Sequence, residues 1–360
     1  MIAHLLLFAV GLVALLVGAE ALVRGSSRIA LSLGISPLVV GLTIVAFGTS
    51  APELAVSVGA ALHGASDIAI GNVVGSNIFN VLMVLGVSAL VAPLTVHVQI
   101  IRQEVPIMIG ASLLLLVVTL DGRLSRGDAL IFLSLLVIYT VFVVRQSRAQ
   151  TRETQELYRD ASEDRGDWDR HWSVQVLLIL GGLVLLVAGS NWLVDASVAF
   201  AHALGVSDLV VGLTIIAAGT SMPELTTSAL AAMRGERDIA IGNAIGSNTF
   251  NILGCLGATG FVEHNGLVVA APVMNFDMWV MCAVALACLP IFIAGREIGR
   301  AKAALFLAYY VAYIAYLVFD AQGHDVLPRF SAIMIGFVLP ITIVTLITML
   351  LRNQASTEAR

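Results

Sequence analysis

The chain contains 360 residues, of which 59% are hydrophobic and only 12% charged, and its mean hydropathy is +0.96. A soluble domain has about 25% charged residues, so this composition excludes an ordinary soluble protein and predicts one that crosses a membrane many times. The formal net charge of −5 does not set the orientation, because orientation depends on where Lys and Arg lie. Cys255, Cys282 and Cys288 lie in apolar segments without CxxC spacing, which favours core packing over redox or metal chemistry.

Eleven apolar stretches are long enough to span a bilayer, which requires about 20 helical residues. They lie near residues 3–23, 36–62, 67–91, 101–120, 127–145, 173–200, 206–233, 237–262, 273–294, 301–319 and 330–351. The polar stretch between the fifth and sixth spans carries charges of both signs, and we interpret it as a solvated linker.

The second and third spans are repeated in the seventh and eighth. Adding 171 to each position aligns residues 34–86 with residues 205–257 without a gap, and 34 of the 53 pairs are identical. Each repeat has five spans, an odd number, so the two copies cross the membrane with opposite polarity. Inverted repeats of this kind are typical of transporters whose site lies at the membrane midplane.

The predicted fold is therefore an all-α polytopic membrane protein with two inverted five-helix repeats, ten core helices in all, plus an eleventh helix. The first repeat is placed at 1–145, a linker at 146–172, the second repeat at 173–320 and the extra helix at 329–352. With the N-terminus outside, sixteen of the 19 Lys and Arg residues face the cytoplasm. The positive-inside rule then puts the C-terminus and the 146–172 linker in the cytoplasm, and the chain in the plasma or inner membrane.

The run GTSAPE, residues 48–53, lies inside the second span and returns as GTSMPE at residues 219–224. Pro52 lacks an N–H group and should break the helix, Gly48 should permit the altered backbone, and the break should free carbonyls such as that of Ala46. A charged Glu53 inside a spanning helix costs about 2.5–3.5 kcal/mol. Because Glu224 occupies the equivalent position, something must offset this cost twice, and a bound cation would do so.

The third and eighth spans supply further oxygen atoms, in the matching runs GSNIFN and GSNTFN. Ser76 and Asn80 are i, i+4 neighbours on one helix face, as are Ser247 and Asn251. Apolar packing explains neither these residues nor Asn72, Asn77, Asn243 and Asn248, whereas it does explain the nearby glycine pairs at 71/75 and 242/246.

The candidate ligands are all oxygens: two carboxylates, hydroxyls, amides and carbonyls. No His or Cys lies among them, which disfavours zinc and copper. Calcium binds six to eight oxygens, sodium also accepts such ligands, and two carboxylates neutralise one divalent cation. The spacing of residues alone leaves the ion open between these.

At these residues the sequence resembles the cation/calcium exchanger superfamily, the family of sodium/calcium exchangers, whose two α-repeats carry such motifs. The resemblance implies an antiporter that exchanges Ca²⁺ for Na⁺ by alternating access, with Glu53 and Glu224 as shared ligands and with helices 1 and 6 sliding across a rigid core. The other implied ligands are Thr49, Ser50, Ser76 and Asn80, their partners Thr220, Ser221, Ser247 and Asn251, and the carbonyls of Ala46 and Ala217. No cofactor, nucleic acid or protein partner is implied beyond the transported ions and the lipid bilayer.

Two features depart from the family pattern. Asn80 and Asn251 are both Asn where some members have one Asp, which disfavours potassium dependence, and the final span lies beyond the usual ten. Three alternatives remain open: H⁺ as the counter-ion, a passive cation channel, and a membrane-embedded enzyme, which is the weakest because no nucleophile–base pair is evident.

Overall fold

The computed structural model describes residues 2–33, 35–160, 171–203, 217–345 and 347–348. The described residues are almost entirely helical. In chain order the helices are α1 (Ile2–Leu33), α2 (Pro37–Thr49), α3 (Ala51–Leu62), α4 (Ser66–Val91), α5 (Ile100–Val118), α6 (Arg126–Asp160), α7 (Trp172–Ala203), α8 (Ala217–Gly219), α9 (Met222–Met233), α10 (Arg237–Phe250, continued through Asn251–Leu256 and Gly257–Val262), α11 (Val273–Ile293), α12 (Arg300–Ala321) and α13 (Leu327–Thr345).

Eight of these helices are long and apolar enough to cross a membrane, and α2 with α3 makes a ninth span bent by 42°. These nine spans correspond to nine of the eleven predicted ones, and the seventh and eighth predicted spans are the other two. The seventh predicted span, 206–233, begins in residues 204–216, which lie outside the described part. The eighth, 237–262, is present as a continuous helix with the predicted bounds.

Other helix ends also differ from the sequence prediction. Helix α6 continues to Asp160, well past the predicted end of its span at residue 145, and so enters the predicted linker. Residues 161–170 of that linker lie outside the described part. The eleventh predicted span, 330–351, corresponds to α13, which begins at Leu327 and is described to Thr345.

Two short β-ladders connect the loops between helices. Strand β1 (Leu94–Thr95), after α4, pairs antiparallel with β4 (Glu297–Ile298), after α11. Strand β2 (Arg123–Leu124), after α5, pairs with β3 (Leu267–Val268), after α10. The loop after the third helix of one repeat thus meets the loop after the fourth helix of the other. Repeats of the same polarity would put these loops on opposite sides of the membrane, so the pairing shows that the repeats are inverted.

Helices α4 and α10 form the centre of the bundle. Most of α4 is enclosed by other helices, and every residue from Ile239 to Phe250 in α10 is buried. Gly242 and Gly246 of α10 lie against the backbone of α2: an added Cβ would lie 2.8 Å from the carbonyl oxygen of Leu38 and 2.6 Å from that of Leu42. The close approach predicted for this glycine pair is present. In the counterpart pair at 71/75, an added Cβ would meet no described atom of another helix within 4 Å.

Helices α1 and α7, the first helix of each repeat, pack along one another outside this centre. A Cβ on Gly11 would lie 2.9 Å from the carbonyl oxygen of Gly189, and one on Gly18 would lie 2.8 Å from that of Gly182. Glycine therefore brings the two backbones into direct contact at two levels.

A carboxylate–tyrosine hydrogen bond joins the fourth and fifth helices in both repeats. In the first repeat the Tyr139 hydroxyl donates to Glu104 Oε2 at 2.9 Å, and in the second the Tyr313 hydroxyl donates to Asp277 Oδ1 at 2.9 Å. These two carboxylates were not predicted from the sequence. Each has a neutral partner on the neighbouring helix, which gives it a structural role away from the repeated motifs.

Candidate functional site

The helix break comes at Ser50 in the first repeat and at Ser221 in the second. Ser50 has φ −83° and ψ 8°, and Ser221 has φ −91° and ψ 10°, so the two breaks have the same backbone geometry. A proline follows two residues later, at the second position of α3 and of α9. Because Pro52 has no N–H, the carbonyl of Gly48 has no helical donor four residues on. The predicted break is present in both repeats.

The break does not free the carbonyl of Ala46, contrary to the prediction, because Ser50 N donates to Ala46 O at 3.0 Å. A carbonyl oxygen has two lone pairs, so one remains for a second partner. Its repeat partner Ala217 opens the three-residue helix α8, immediately after residues outside the described part.

Gly48 has a close neighbour but no unusual backbone, which corrects the sequence interpretation. It lies inside a helical segment, and an added Cβ would lie 2.5 Å from Leu183 Cδ2 of α7. A Cβ added to Gly219 would in the same way meet the side chain of Val194 of α7. Both breaks therefore sit directly against α7.

The two predicted glutamates are fully buried, and each accepts a hydrogen bond from a serine of the opposite repeat. Ser221 Oγ, from the second repeat, donates to Glu53 Oε1 at 2.8 Å. Ser50 Oγ, from the first repeat, donates to Glu224 Oε1 at 2.9 Å. Ser76 Oγ lies 3.5 Å from Glu53 Oε1 and 3.0 Å from Ser221 Oγ; because Ser221 has one hydrogen and gives it to Glu53, Ser76 is the donor in its own contacts. The structure thus brings the two motifs, 171 residues apart in the chain, into one place, which we call the central site.

Several polar atoms of the central site make no hydrogen bond within the described part of the chain. They include the second carboxylate oxygen of each glutamate, Glu53 Oε2 and Glu224 Oε2, and both amide atoms of Asn80. Buried polar atoms are normally paired, and a buried charge is costly unless it is paired or binds a metal ion. Two carboxylate oxygens and an amide that remain available in a membrane protein fit a bound cation, and all are hard oxygen ligands of the kind that calcium takes.

The two predicted asparagines begin π-helical turns, Asn80–Val84 in α4 and Asn251–Leu256 in α10. Such turns are often found at functional sites. Asn80 and Asn251 are buried, as is Ser247, the repeat partner of Ser76. Asn251 differs from Asn80 because its Nδ2 donates to Asn77 Oδ1 at 3.1 Å.

The predicted threonines point across the repeats. Thr49 Oγ1 donates to Asn243 Oδ1 at 3.0 Å, and Thr220 Oγ1 donates to Asn72 Oδ1 at 3.3 Å. Asn72 and Asn243 stood out in the sequence as polar residues that packing does not explain, but no role was predicted for them. Their repetition in both copies was the available signal.

Asn77 and Asn248 also join the repeats directly. Asn77 Nδ2 donates to the backbone carbonyl of Asn248 at 3.3 Å, and Asn248 Nδ2 donates to that of Asn77 at 3.2 Å. Reciprocal bonds of this kind fix α4 against α10 next to the central site. These residues too were noted in the sequence without a role.

Cys255 lies at the edge of the central site. Its thiol donates to Asn251 Oδ1, with a sulfur–oxygen distance of 3.6 Å, and Val84 occupies the equivalent position of the first repeat. It is buried and free, as the sequence interpretation of the three cysteines expects, but its contact with a predicted ligand was not foreseen. Among the described residues, no group of three or more His, Cys, Asp and Glu side chains is placed to hold a metal ion.

Comparison with known proteins gives a consistent result. The sequence model of the family described as "Sodium/calcium exchanger protein" matches residues 3–145 and 174–319. CaxA of Alkalimonas amylolytica is 40% identical over 87% of this chain and 97% of its own length. The sodium/calcium exchanger MaX1 of Methanosarcina acetivorans is 33% identical over 88% of this chain and 99% of its own length.

A solved structure of the sodium-calcium exchanger NCX_Mj shares the fold. It superimposes with a TM-score of 0.74 and 32% identity, covering 88% of this chain and 99% of that one. The predicted fold class of inverted five-helix repeats in a multi-pass membrane protein is confirmed, as is the resemblance read from the motifs. The chain belongs to the sodium/calcium exchanger family of membrane transporters, and it is a cation/calcium antiporter, not an enzyme.

Proposed function

We propose that this protein exchanges Ca²⁺ for Na⁺ across the membrane, and that both ions compete for the central site. The observation that carries the proposal is the pair of buried glutamates, each bonded through one oxygen to a serine of the opposite repeat and each with its second oxygen unpaired. Two carboxylates neutralise one Ca²⁺. Several Na⁺ ions could replace it by using the same carboxylates and the hydroxyl, amide and carbonyl oxygens around them.

The site residues in this proposal are those predicted from the sequence. Glu53 and Glu224 are the shared carboxylate ligands. The other ligands are Thr49, Ser50, Ser76, Asn80, Thr220, Ser221, Ser247 and Asn251, with the carbonyls of Ala46 and Ala217. Their common feature is that residues from both repeats contribute, so a cation in the central site binds both halves of the protein at once.

Alternating access requires a rigid part and a part that moves. The reciprocal bonds between Asn77 and Asn248 join the two repeats beside the site and support a rigid centre. Helices α1 and α7 contact each other through glycine and lie outside that centre. We assign the movement to these two helices as a pair, since α7 also covers the breaks at Gly48 and Gly219.

The orientation in the proposal has the N-terminus outside and the C-terminus and the 146–172 linker in the cytoplasm, because this arrangement puts most Lys and Arg residues inside. Fusion of a reporter that is active only in the cytoplasm to residue 360 tests it. The expected result is an active reporter; an inactive one contradicts the orientation.

Calcium flux in reconstituted vesicles tests the exchange. Vesicles loaded with Na⁺ are diluted into Na⁺-free medium containing labelled Ca²⁺, with the membrane potential clamped by K⁺ and valinomycin. We expect uptake that requires the outward Na⁺ gradient and is abolished in Glu53→Gln. Equal uptake without a Na⁺ gradient overturns the proposal.

H⁺ is the second candidate counter-ion, because the unpaired oxygens of Glu53 and Glu224 are able to take protons instead of Na⁺. An imposed pH gradient without Na⁺ distinguishes the two. Uptake driven by Na⁺ and not by the pH gradient supports Na⁺ as the counter-ion, the reverse supports H⁺, and uptake under neither gradient excludes both exchange reactions.

A further inference from the structure

Asn243 has an amide whose orientation is determined by its partners. Its amide group contacts the backbone carbonyl of Glu224 at 3.3 Å, the hydroxyl of Ser228 at 2.9 Å and, on its other side, the hydroxyl of Thr49 at 3.0 Å. A backbone carbonyl can only accept a hydrogen bond, so the amide nitrogen must face Glu224. The amide oxygen therefore faces Thr49.

The orientation of Asn243 determines the direction of the Thr49 hydroxyl. An amide oxygen can only accept, so Thr49 must donate its single hydrogen to Asn243. Two other acceptors lie near the same hydroxyl, the carbonyl of Ala46 at 3.4 Å and the carboxylate of Glu224, whereas Asn243 Oδ1 lies closer than the Ala46 carbonyl, at 3.0 Å. With its hydrogen directed at Asn243, Thr49 presents lone pairs in the remaining directions, and lone pairs are what a cation requires.

The same arrangement is present in the other half of the site. Asn72 Nδ2 contacts the backbone carbonyl of Glu53 at 3.3 Å and the Ser57 hydroxyl at 3.1 Å, and Asn72 Oδ1 accepts from Thr220 at 3.3 Å. Each asparagine is therefore bonded to the backbone of the glutamate in its own repeat and to the threonine of the opposite repeat.

We propose that Asn72 and Asn243 are positioning residues that make Thr220 and Thr49 cation ligands, by taking up their hydroxyl hydrogens. The proposal rests on the proposed function, because it assigns a role toward the ion in the central site. Neither asparagine touches the ion in this account; each acts through a threonine. Each amide bonds the backbone of a glutamate from one repeat and the hydroxyl of a threonine from the other. It therefore also sets the distance between that glutamate and that threonine across the site.

A double-mutant cycle on Ca²⁺-dependent transport tests this. Asn243→Leu removes the acceptor while keeping the number of side-chain heavy atoms, and it also removes the amide N–H bonds to Glu224 and Ser228. Thr49→Val removes the hydroxyl. Loss of a residue that orients a metal ligand typically costs about 10- to 100-fold in metal affinity. We expect each single variant to raise the KM for Ca²⁺ at least about tenfold, with kcat changed much less. The double variant should raise KM by far less than the product of the two effects, because both remove the same interaction.

Thr259→Val is the matched control, because its hydroxyl donates within α10 to the carbonyl of Cys255 at 2.6 Å. It should leave KM unchanged. If Asn243→Leu does not fold, as judged by size-exclusion chromatography, the cycle is repeated with Asn72→Leu and Thr220→Val, where Asn72 is only half-buried.

Two results overturn the positioning role: independent, multiplicative effects of the two substitutions, or a loss of kcat or thermal stability with KM unchanged. The proposed function fails separately, if the wild-type protein shows no Ca²⁺ flux under any imposed gradient.

Discussion

The half of the central site around Glu53 and the half around Glu224 have nearly the same motif but different hydrogen bonds. Glu53 Oε1 has two serine hydroxyls within hydrogen-bond distance, Ser221 and Ser76, whereas Glu224 Oε1 has Ser50. The side chain of Asn80 makes no hydrogen bond within the described residues, whereas that of its counterpart Asn251 is bonded to Asn77 and to the thiol of Cys255. The backbone breaks, by contrast, agree closely.

The comparison shows that the two copies have kept the same backbone geometry but not the same side-chain hydrogen bonds. The proline, the serine two residues before it and the glutamate directly after it set the backbone, and they are identical in both copies. The side-chain bonds also depend on neighbours that have diverged, of which Cys255 in place of a valine is the one in contact with a site asparagine. We infer that Asn80 is free to turn its oxygen toward an ion, while Asn251 is held in place.

The largest expected effect comes from the glutamates, for which the two halves should behave alike. Glu53→Gln or Glu224→Gln removes one of the two charges that neutralise Ca²⁺, so each variant should lose measurable Ca²⁺ transport while remaining folded. Flux into vesicles, together with size-exclusion profiles of the purified variants, measures this.

Glu104→Gln is the matched control for these two variants, because it also removes a buried carboxylate, one bonded to Tyr139 away from the central site. It should keep most of the transport activity. Normal transport in both Glu53→Gln and Glu224→Gln would show that the site assignment is wrong.

A smaller effect, and one that differs between the halves, is expected for the asparagines. Asn80→Ala should raise the half-saturating Ca²⁺ concentration by about tenfold, as for loss of a ligand or its orienting group. Asn251→Ala should affect Ca²⁺ less but should lower thermal stability, because Asn77 Oδ1 loses its donor, at a cost of about 1–3 kcal/mol for a buried group. Ca²⁺ titrations and melting curves of the two variants measure this. If both variants change the half-saturating Ca²⁺ concentration and the thermal stability equally, the two asparagines do not differ in role.

The smallest effect is expected for Cys255→Val, which gives the second repeat the residue of the first. A thiol is a weak donor of nearly the same size as the new side chain, so we expect a change of about threefold or less in the half-saturating Ca²⁺ concentration. In this background Asn251→Ala should weaken Ca²⁺ binding more than it does in the wild type, approaching the effect of Asn80→Ala. An unchanged effect of Asn251→Ala would show that the thiol does not hold the asparagine.

Much of the fold could be predicted from the sequence, because the relevant physics is local or is repeated. The lengths of the apolar stretches predicted most of the helices. The 171-residue repeat, with an odd number of spans, predicted that the two repeats are inverted, and Pro52 predicted the helix break. The sequence could not give the end of α6, since its continuation to Asp160 depends on helix propensity in a polar segment rather than on hydropathy.

The sequence predicted which side chains meet in the central site, but not the hydrogen bonds between them. The cost of burying Glu53 and Glu224 marks them in the sequence, and the structure brings them together with the predicted serines. The role of Gly48 was misjudged, because the side chain that fills its space, Leu183, belongs to a distant helix. The partners of Thr49 and Thr220 could not be identified either, since both bonds cross from one repeat to the other and depend on how the halves dock.

Equilibrium binding of labelled Ca²⁺ to the purified protein, with and without Na⁺, tests the central claim that one site is shared by both ions and both repeats. The account predicts that Na⁺ displaces Ca²⁺ competitively, and that Glu53→Gln and Glu224→Gln each abolish the same binding event. Full Ca²⁺ binding in either variant, or binding that is indifferent to Na⁺, would contradict it.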